Sequence, residues 1–272
     1  MARMAQPSSA SPTASAEAMT LERAQIALQC ALQPIVDVRT GVVHGVEALM
    51  RGYERLGYAG PLEVIERFAR EGDLVGFEGL MHRKAIAAFL ASPLARRSEA
   101  GRLFVNLDAR AVPAGDMTEL SQALDLMRGE GLSAANLCIE LSATPPGGAA
   151  ARLENWIVDF RAAGLRFAAD HFGHGGAELK LVHDNLVDYI KVDRYFVSRL
   201  ESQTRKRVFL ANLCRLAHVL GVRVAAQGVE TAAEFVACRD LGCDLVQGYH
   251  VSRPLPPDAL LAWLQGVSQA AT

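Results

Sequence analysis

The sequence predicts an α/β domain, a TIM-like (β/α)8 barrel whose first strand runs antiparallel to the rest. Three observations carry that expectation. Eight short runs rich in Val, Ile, Leu and aromatic residues recur along the chain, several of them continuously apolar, as strands buried on both faces read. Helical patterns separate most of these runs, as crossover connections require. The first two runs, 31–38 and 42–50, are parted only by Arg39, Thr40 and Gly41, a hairpin connection rather than a crossover.

The remaining strand runs are 103–108, 136–141, 165–170, 187–192, 222–226 and 244–249. Amphipathic stretches at 61–72, 76–92, 149–163, 199–220 and 230–241 read as the helices between them. Gly164 and Gly221 fall where a helix stops before a strand. An open doubly wound sheet is the alternative, but no GxGxxG follows the first strand. Residues 1–18, rich in Ala, Ser and Pro without a hydrophobic signal core, read as a disordered tail, with a transit peptide as the alternative. Residues 19–272 read as one barrel domain, since such barrels commonly run to about 250 residues.

Composition narrows the function classes. Half the residues are hydrophobic and 21% are charged, which excludes a disordered, collagenous or disulfide-scaffold chain. Lys and Arg number 28 against 30 Asp and Glu, so binding nucleic acid through bulk positive charge is disfavoured. Cys30, Cys138, Cys214, Cys238 and Cys243 form an odd set without CxxC spacing and read as small buried hydrophobes in a reducing, cytoplasmic setting. No run of about 18 apolar residues is present to span a bilayer, and 259–272 is too short and mixed.

Polar residues interrupt the apolar runs near the expected strand ends: Glu47, Asn106, Glu140, Asp170, Lys191, Gln227 and Gln247. In a barrel those ends converge on one rim, and buried charges there are costly unless paired or metal-bound. Three carboxylates and an amide oxygen suit a hard cation, Mg²⁺, Mn²⁺ or Ca²⁺. A phosphate ester is the matching substrate class, with Lys191 as a point charge for the phosphate or the attacking water.

Glu47-Ala48-Leu49-Met50-Arg51 resembles the ExLxR signature of the EAL domain family, the bacterial cyclic di-GMP phosphodiesterases and their non-catalytic relatives. VNL around Asn106, IELS around Glu140, DHFG at 170–173, YIKVDRYFV at 189–197, QGVET at 227–231 and LGCDLVQGYHVSRPLP at 241–256 follow in order, so the resemblance covers about residues 20–268. It implies a barrel with an antiparallel first strand and hydrolysis of cyclic di-GMP by metal-activated water. It implies catalytic positions at Lys191, Gln227 and Glu230 and ligand contacts at Glu47, Leu49, Arg51, Asp193, Gln247 and Pro254. Metal ligands would be Glu47, Asn106, Glu140 and Asp170, with His171 a doubtful one.

The departures from the family pattern bear on activity. His171 stands where the DDFG motif has its second Asp, a ligand of the second metal. Gln227 stands where active members have the Glu of EGVE, and an amide cannot accept a proton near neutral pH. Ala143 replaces the second Glu of ExxE, and the loop after the fifth strand is altered. Neighbours that could compensate are His174, Glu178 and Glu230, while Gly175-Gly176 reads as a flexible loop. His44, His82, His183 and His218 read as surface or interface residues.

The expected function is a degenerate EAL domain that binds cyclic di-GMP as a receptor or regulatory module, with Mg²⁺, Mn²⁺ or no metal. It would act through another signalling protein or a homodimer. An active phosphodiesterase and a nucleotide-independent interaction module are the alternatives.

Overall fold

The computed structural model describes residues 20–96, 101–112, 118–141, 149–173 and 177–270. The expected tail at 1–18, Ala143, His174 and Gly175-Gly176 lie outside the described residues, as does the side chain of Glu178. Eight strands close a barrel in chain order: β1 (Gln29–Asp37), β2 (Val43–Arg51), β3 (Leu103–Leu107), β4 (Leu137–Leu141), β5 (Arg166–Phe172), β6 (Tyr189–Val192), β7 (Arg223–Ala226) and β8 (Leu245–Val246). β1 pairs antiparallel with both β2 and β8, and every other neighbouring pair is parallel.

The helices are α1 (Leu21–Ala27), α2 (Pro61–Glu71), α3 (Leu74–Leu90), α4 (Thr118–Gly129), α5 (Ala149–Ala162), α6 (Ala177–His183), α7 (Arg194–Val197), α8 (Thr204–Val219), α9 (Ala232–Asp240) and α10 (Pro257–Ala270). Local chemistry sets several boundaries. Pro61 opens α2, where its missing N–H costs nothing. Thr231 caps α9 in a reciprocal box with Glu234, which also accepts the Glu230 N–H. Gly164 (φ 99°) and Gly221 (φ 74°) adopt the left-handed geometry that ends α5 and α8.

Four expectations change in detail. The β1–β2 connection is five residues, 38–42, because Val38 and Val42 lie outside the strands. The stretch expected as one helix over 199–220 divides into a 3-10 turn at Leu200–Ser202 and α8, and Arg199 ahead of the turn takes a left-handed φ of 57°. His82 is buried, not a surface residue. His44 is part-buried at the N-terminal mouth of the barrel, within hydrogen-bond distance of Tyr189, Arg102 and Arg223. Burial and the two guanidinium groups keep its imidazole neutral, with a pKa down to about 3. Helix α4 was absent from the sequence expectations, although Leu120, Ala123, Leu124 and Met127 share the helical spacing and are buried.

Inside the barrel each strand alternates inward and outward residues. One inward layer is apolar: Ile35, Phe104, Cys138, Ala168, Tyr189, Ala225 and Leu245 form a cluster of their own, separate from the core between strands and helices. Gly45 of β2 leaves the space that the Phe104 ring fills, since a Cβ there would lie 3.0 Å from it. Phe104→Ala should therefore cost about 3–5 kcal/mol, because no neighbour can collapse into the void. Urea denaturation monitored by circular dichroism measures that loss as a lower midpoint at unchanged slope.

Candidate functional site at the barrel rim

Two residues beyond the apolar layer, the same alternation brings a second layer inward at the C-terminal ends of the parallel strands. It is entirely polar: Gln33, Glu47, Asn106, Glu140, Asp170, Lys191, Gln227 and Gln247. Gln33 is the member that sequence reasoning missed. β1 runs in the opposite direction, so its rim residue lies before the apolar residue and not after it.

Six strands are tied through one carboxylate. Glu47 Oε2 accepts from Lys191 Nζ at 2.7 Å and from Gln247 Nε2 at 2.7 Å, while Oε1 accepts from Asn106 Nδ2 at 2.9 Å. Lys191 also donates to Glu140, and Gln247 Nε2 reaches Gln33 Oε1 at 3.2 Å. The Lys191 side chain has no solvent exposure. Burial favours its neutral form, but Glu140, Glu47 and Asp170 outweigh burial and keep the ammonium charged. The two carboxylates beside it differ. Burial works against Glu47 as an anion, yet the Lys191 charge and three donated hydrogen bonds hold it ionised. Glu140 has a single donor, and burial together with the Glu47 charge pushes its pKa well above the usual carboxylate range.

The other two strands form a separate pair. Asp170 Oδ1 accepts from Gln227 Nε2 at 2.8 Å, and His171 Nε2 lies 3.3 Å from Asp170 Oδ2. His171 Nδ1 lies 3.3 Å from Asp193 Oδ2. His171 occupies an irregularity in the β5–β6 register and takes a left-handed φ of 50°.

Above the polar layer opens a cavity of about 900 Å³. Glu47, Leu49, Asn106, Asp170, His171, Asp193, Gln227, Glu230 and Gln247 line it. Lys191 and Glu140 lie beneath it, fully buried. Asp193 caps α7 by accepting the Tyr195 N–H at 2.7 Å, and Glu230 pairs with Arg194 at 2.7 Å. Arg51 and Pro254 are not brought to the cavity lining. Arg51 Nη1 donates to the Met50 carbonyl at 2.7 Å, and Pro254 precedes Leu255, which bridges to Leu32 of β1. Sequence reasoning also missed Glu78, His82, Asp108 and Arg110, which line the same cavity.

Of the oxygens expected to hold a divalent cation, both on Glu47 and Oδ1 of Asp170 accept hydrogen bonds from the protein. All three donors on Glu47 and the donor on Asp170 are N–H groups, and Lys191 supplies the cationic charge. Among the described residues no group of three His, Cys, Asp or Glu side chains is arranged to hold an ion. Glu140 Oε2 and Gln247 Oε1 are buried without a hydrogen-bond partner.

A closed barrel with an antiparallel first strand and an acidic rim defines a TIM-like class in which the rim carries function. The family model described as EAL domain matches residues 17–254. The chain belongs to the EAL domain family. It is 29% identical over 234 residues to the cyclic di-GMP phosphodiesterase PA2567 of Pseudomonas aeruginosa, covering 86% of this chain and 39% of that one. Its fold matches the phosphodiesterase PaMucR in complex with c-di-GMP, with TM-score 0.75, 25% identity, and 88% and 96% of the two chains covered. It also matches a manganese and cyclic di-GMP complex of Klebsiella pneumoniae BlrP1, with TM-score 0.70, 29% identity, and 84% and 56% covered. The chain spans about a third of the length of the curated relatives it matches. Among the described residues no helix is long and apolar enough to cross a membrane.

Two outcomes follow for stability. Lys191→Met strands the Glu47 carboxylate in a dry interior and should cost about 3–5 kcal/mol in urea denaturation. Glu78 is buried on α3, and burial pushes its carboxyl up to about 8. Its folded pKa thus exceeds the unfolded value, and the native state holds an extra proton between pH 4.5 and 8. Stability should fall as pH rises through that window. Glu78→Gln should remove the slope, gaining on wild type between pH 5 and pH 8.5 by on the order of 3 kcal/mol in paired denaturation curves.

Proposed function

We propose that the chain binds cyclic di-GMP at this rim and turns it over little or not at all, so that it acts as a receptor rather than a phosphodiesterase. One observation carries the reading. The two residues that depart from the family pattern, His171 and Gln227, converge on the same carboxylate, Asp170, one beside each oxygen. Hydrolysis through two metals needs that carboxylate free for an ion and a base where Gln227 stands. Recognition has different needs: a cavity of dinucleotide size, the apolar wall of Leu49, and polar groups along the rim. Arg51 joins the phosphate contacts once its guanidinium leaves the Met50 carbonyl. Metal is not required for binding in this reading, because Lys191 pairs with Glu47 at the centre without one. The receptor would signal in the cytoplasm by contact with another signalling protein, in which a homodimer is one arrangement.

Calorimetric titration with cyclic di-GMP, with and without Mg²⁺ or Mn²⁺, followed by chromatography of the same sample, tests this. Saturable binding without linear dinucleotide is the expected result. The combined His171→Asp and Gln227→Glu exchange should raise metal-dependent hydrolysis more than either single exchange, since both act on one carboxylate. Wild-type hydrolysis at a rate unaffected by these exchanges would make the chain an enzyme. Absence of both heat and a ligand-dependent rise in melting temperature would leave a nucleotide-independent interaction module.

A further inference from the structure

The opposite mouth of the barrel, at the N-terminal ends of the parallel strands, carries a polar cluster that the rim chemistry does not use. His44 reaches it through an irregularity in the β1–β2 register, where Ile35 pairs with Gly45 but Val36 pairs with Val43. Regular alternation would turn His44 outward, next to the inward Gly45, and a bulge re-aims such a side chain. Its ring meets Tyr189 of β6 across the mouth, with ring centroids 5.7 Å apart and Nε2 3.0 Å from the phenol oxygen. Arg102, just before β3, places Nη1 2.8 Å from Nε2. Arg223, at the start of β7, places Nη1 3.2 Å from Nδ1.

Donors and acceptors do not balance in this cluster. A guanidinium only donates, and a neutral imidazole has one lone pair for its two ring nitrogens. The lone pair serves the shorter contact, from Arg102, so the Nδ1–H of His44 and an N–H of Arg223 stand donor against donor. Charge is unmatched as well. Arg102 donates from Nε to the Ala135 carbonyl at 3.0 Å and from Nη1 to Tyr189, and among the described residues no carboxylate pairs with it. The acids beside these strand ends are committed elsewhere. Asp188 is taken by Arg161 and Arg166, and Asp244 by His218 and the Val224 N–H. Asp37 stands 3.4 Å from Arg223, while its other oxygen accepts from the Arg39 and Thr40 N–H groups and the Thr40 hydroxyl. Arg102, Arg223 and His44 are all part-exposed, so a solute can reach them.

We propose that this mouth binds a free oxyanion of the phosphate class, which accepts from Arg102, from Arg223 and from the Nδ1–H of His44. Such an ion supplies both missing quantities, a negative charge for Arg102 and an acceptor for the opposed pair. Guanidinium groups match phosphate oxygens in charge and geometry, and a tetrahedral anion accepts from several directions at once. The bound ion joins β2, β3 and β7 and stabilises the closed barrel by mass action. The apolar layer that includes Phe104 and Tyr189 separates this mouth from the rim, so the site stands or falls independently of nucleotide binding there.

The test titrates inorganic phosphate into the full chain at about pH 8, where the ion is largely a dianion, with chloride exchanged to hold ionic strength constant. It follows the melting temperature and the ring NMR signals of isotope-labelled histidine, the His44 signals being assigned by their loss in His44→Gln. Wild type should show a saturable rise in melting temperature and a shift of the His44 signals. Arg102→Gln and Arg223→Gln should each weaken phosphate about tenfold or more. Arg102→Lys, which keeps the charge and loses the planar fork, should weaken it less. Because Arg102 also holds the Ala135 carbonyl, each variant is compared with its own melting temperature in chloride. The same wild-type melting temperature in phosphate and in chloride overturns the proposal without any variant. Phosphate binding that leaves the His44 signals in place, or that keeps wild-type affinity in both glutamine variants, puts the anion elsewhere and overturns it too.

Discussion

An ammonium group with no access to water is the constraint around which the barrel is organised. Lys191 can stay charged there only because Glu47 and Glu140 stand on either side of it. Each of those residues arrives from a different strand, so the ion pairs fix the relative register of β2, β4 and β6. Asn106, Gln247 and Gln33 complete the arrangement from β3, β8 and β1. Below this layer lies a dry apolar one, which raises the cost of any missing partner. Electrostatics and packing thus enforce the same barrel geometry, one layer apart.

The rim divides into two hydrogen-bonded parts. The six-strand network around Glu47 carries the residue types that the family resemblance implies, and its interactions are structural as well as chemical. The β5–β7 pair is where both departures from that resemblance fall, and the Asp170 charge acts on Lys191 and Glu140. His171 and Gln227 stand beside Asp170, not beside the central Lys191 pairs.

Much of this architecture was legible in the sequence. All eight strands fall within a few residues of their expected spans, since continuous apolar runs bounded by glycines and polar residues leave few readings. Seven of the eight members of the polar layer were also legible, as polar residues closing those runs. Gln33 was not, because the rule that function lies at the C-terminal end of a strand inverts when the strand runs backwards. Glu78 and His82 sit on a helix, where a charged residue ordinarily faces solvent, and nothing in the local pattern signals that this face of α3 covers a cavity. His44 was hidden for a related reason: its burial comes from Arg102, Tyr189 and Arg223, which only barrel closure brings together.

The antiparallel β1 has a consequence for how the chain reaches its native state. β1 and β2 form a hairpin that can assemble locally, but the other edge of β1 must wait for β8, where Val36 meets Val246 and Asp37 meets Leu245. Leu255 adds a last bridge to Leu32 from still further along the chain. Until those residues leave the ribosome, the growing sheet has two open edges and Glu47 lacks its Gln247 donor. Closure of the last seam is the step with the greatest loop entropy, and it is also the step that completes the polar layer. Synthesis from the N-terminus therefore leaves assembly of the rim to the end, so a nascent chain has every strand but one in hand before it has a site at all.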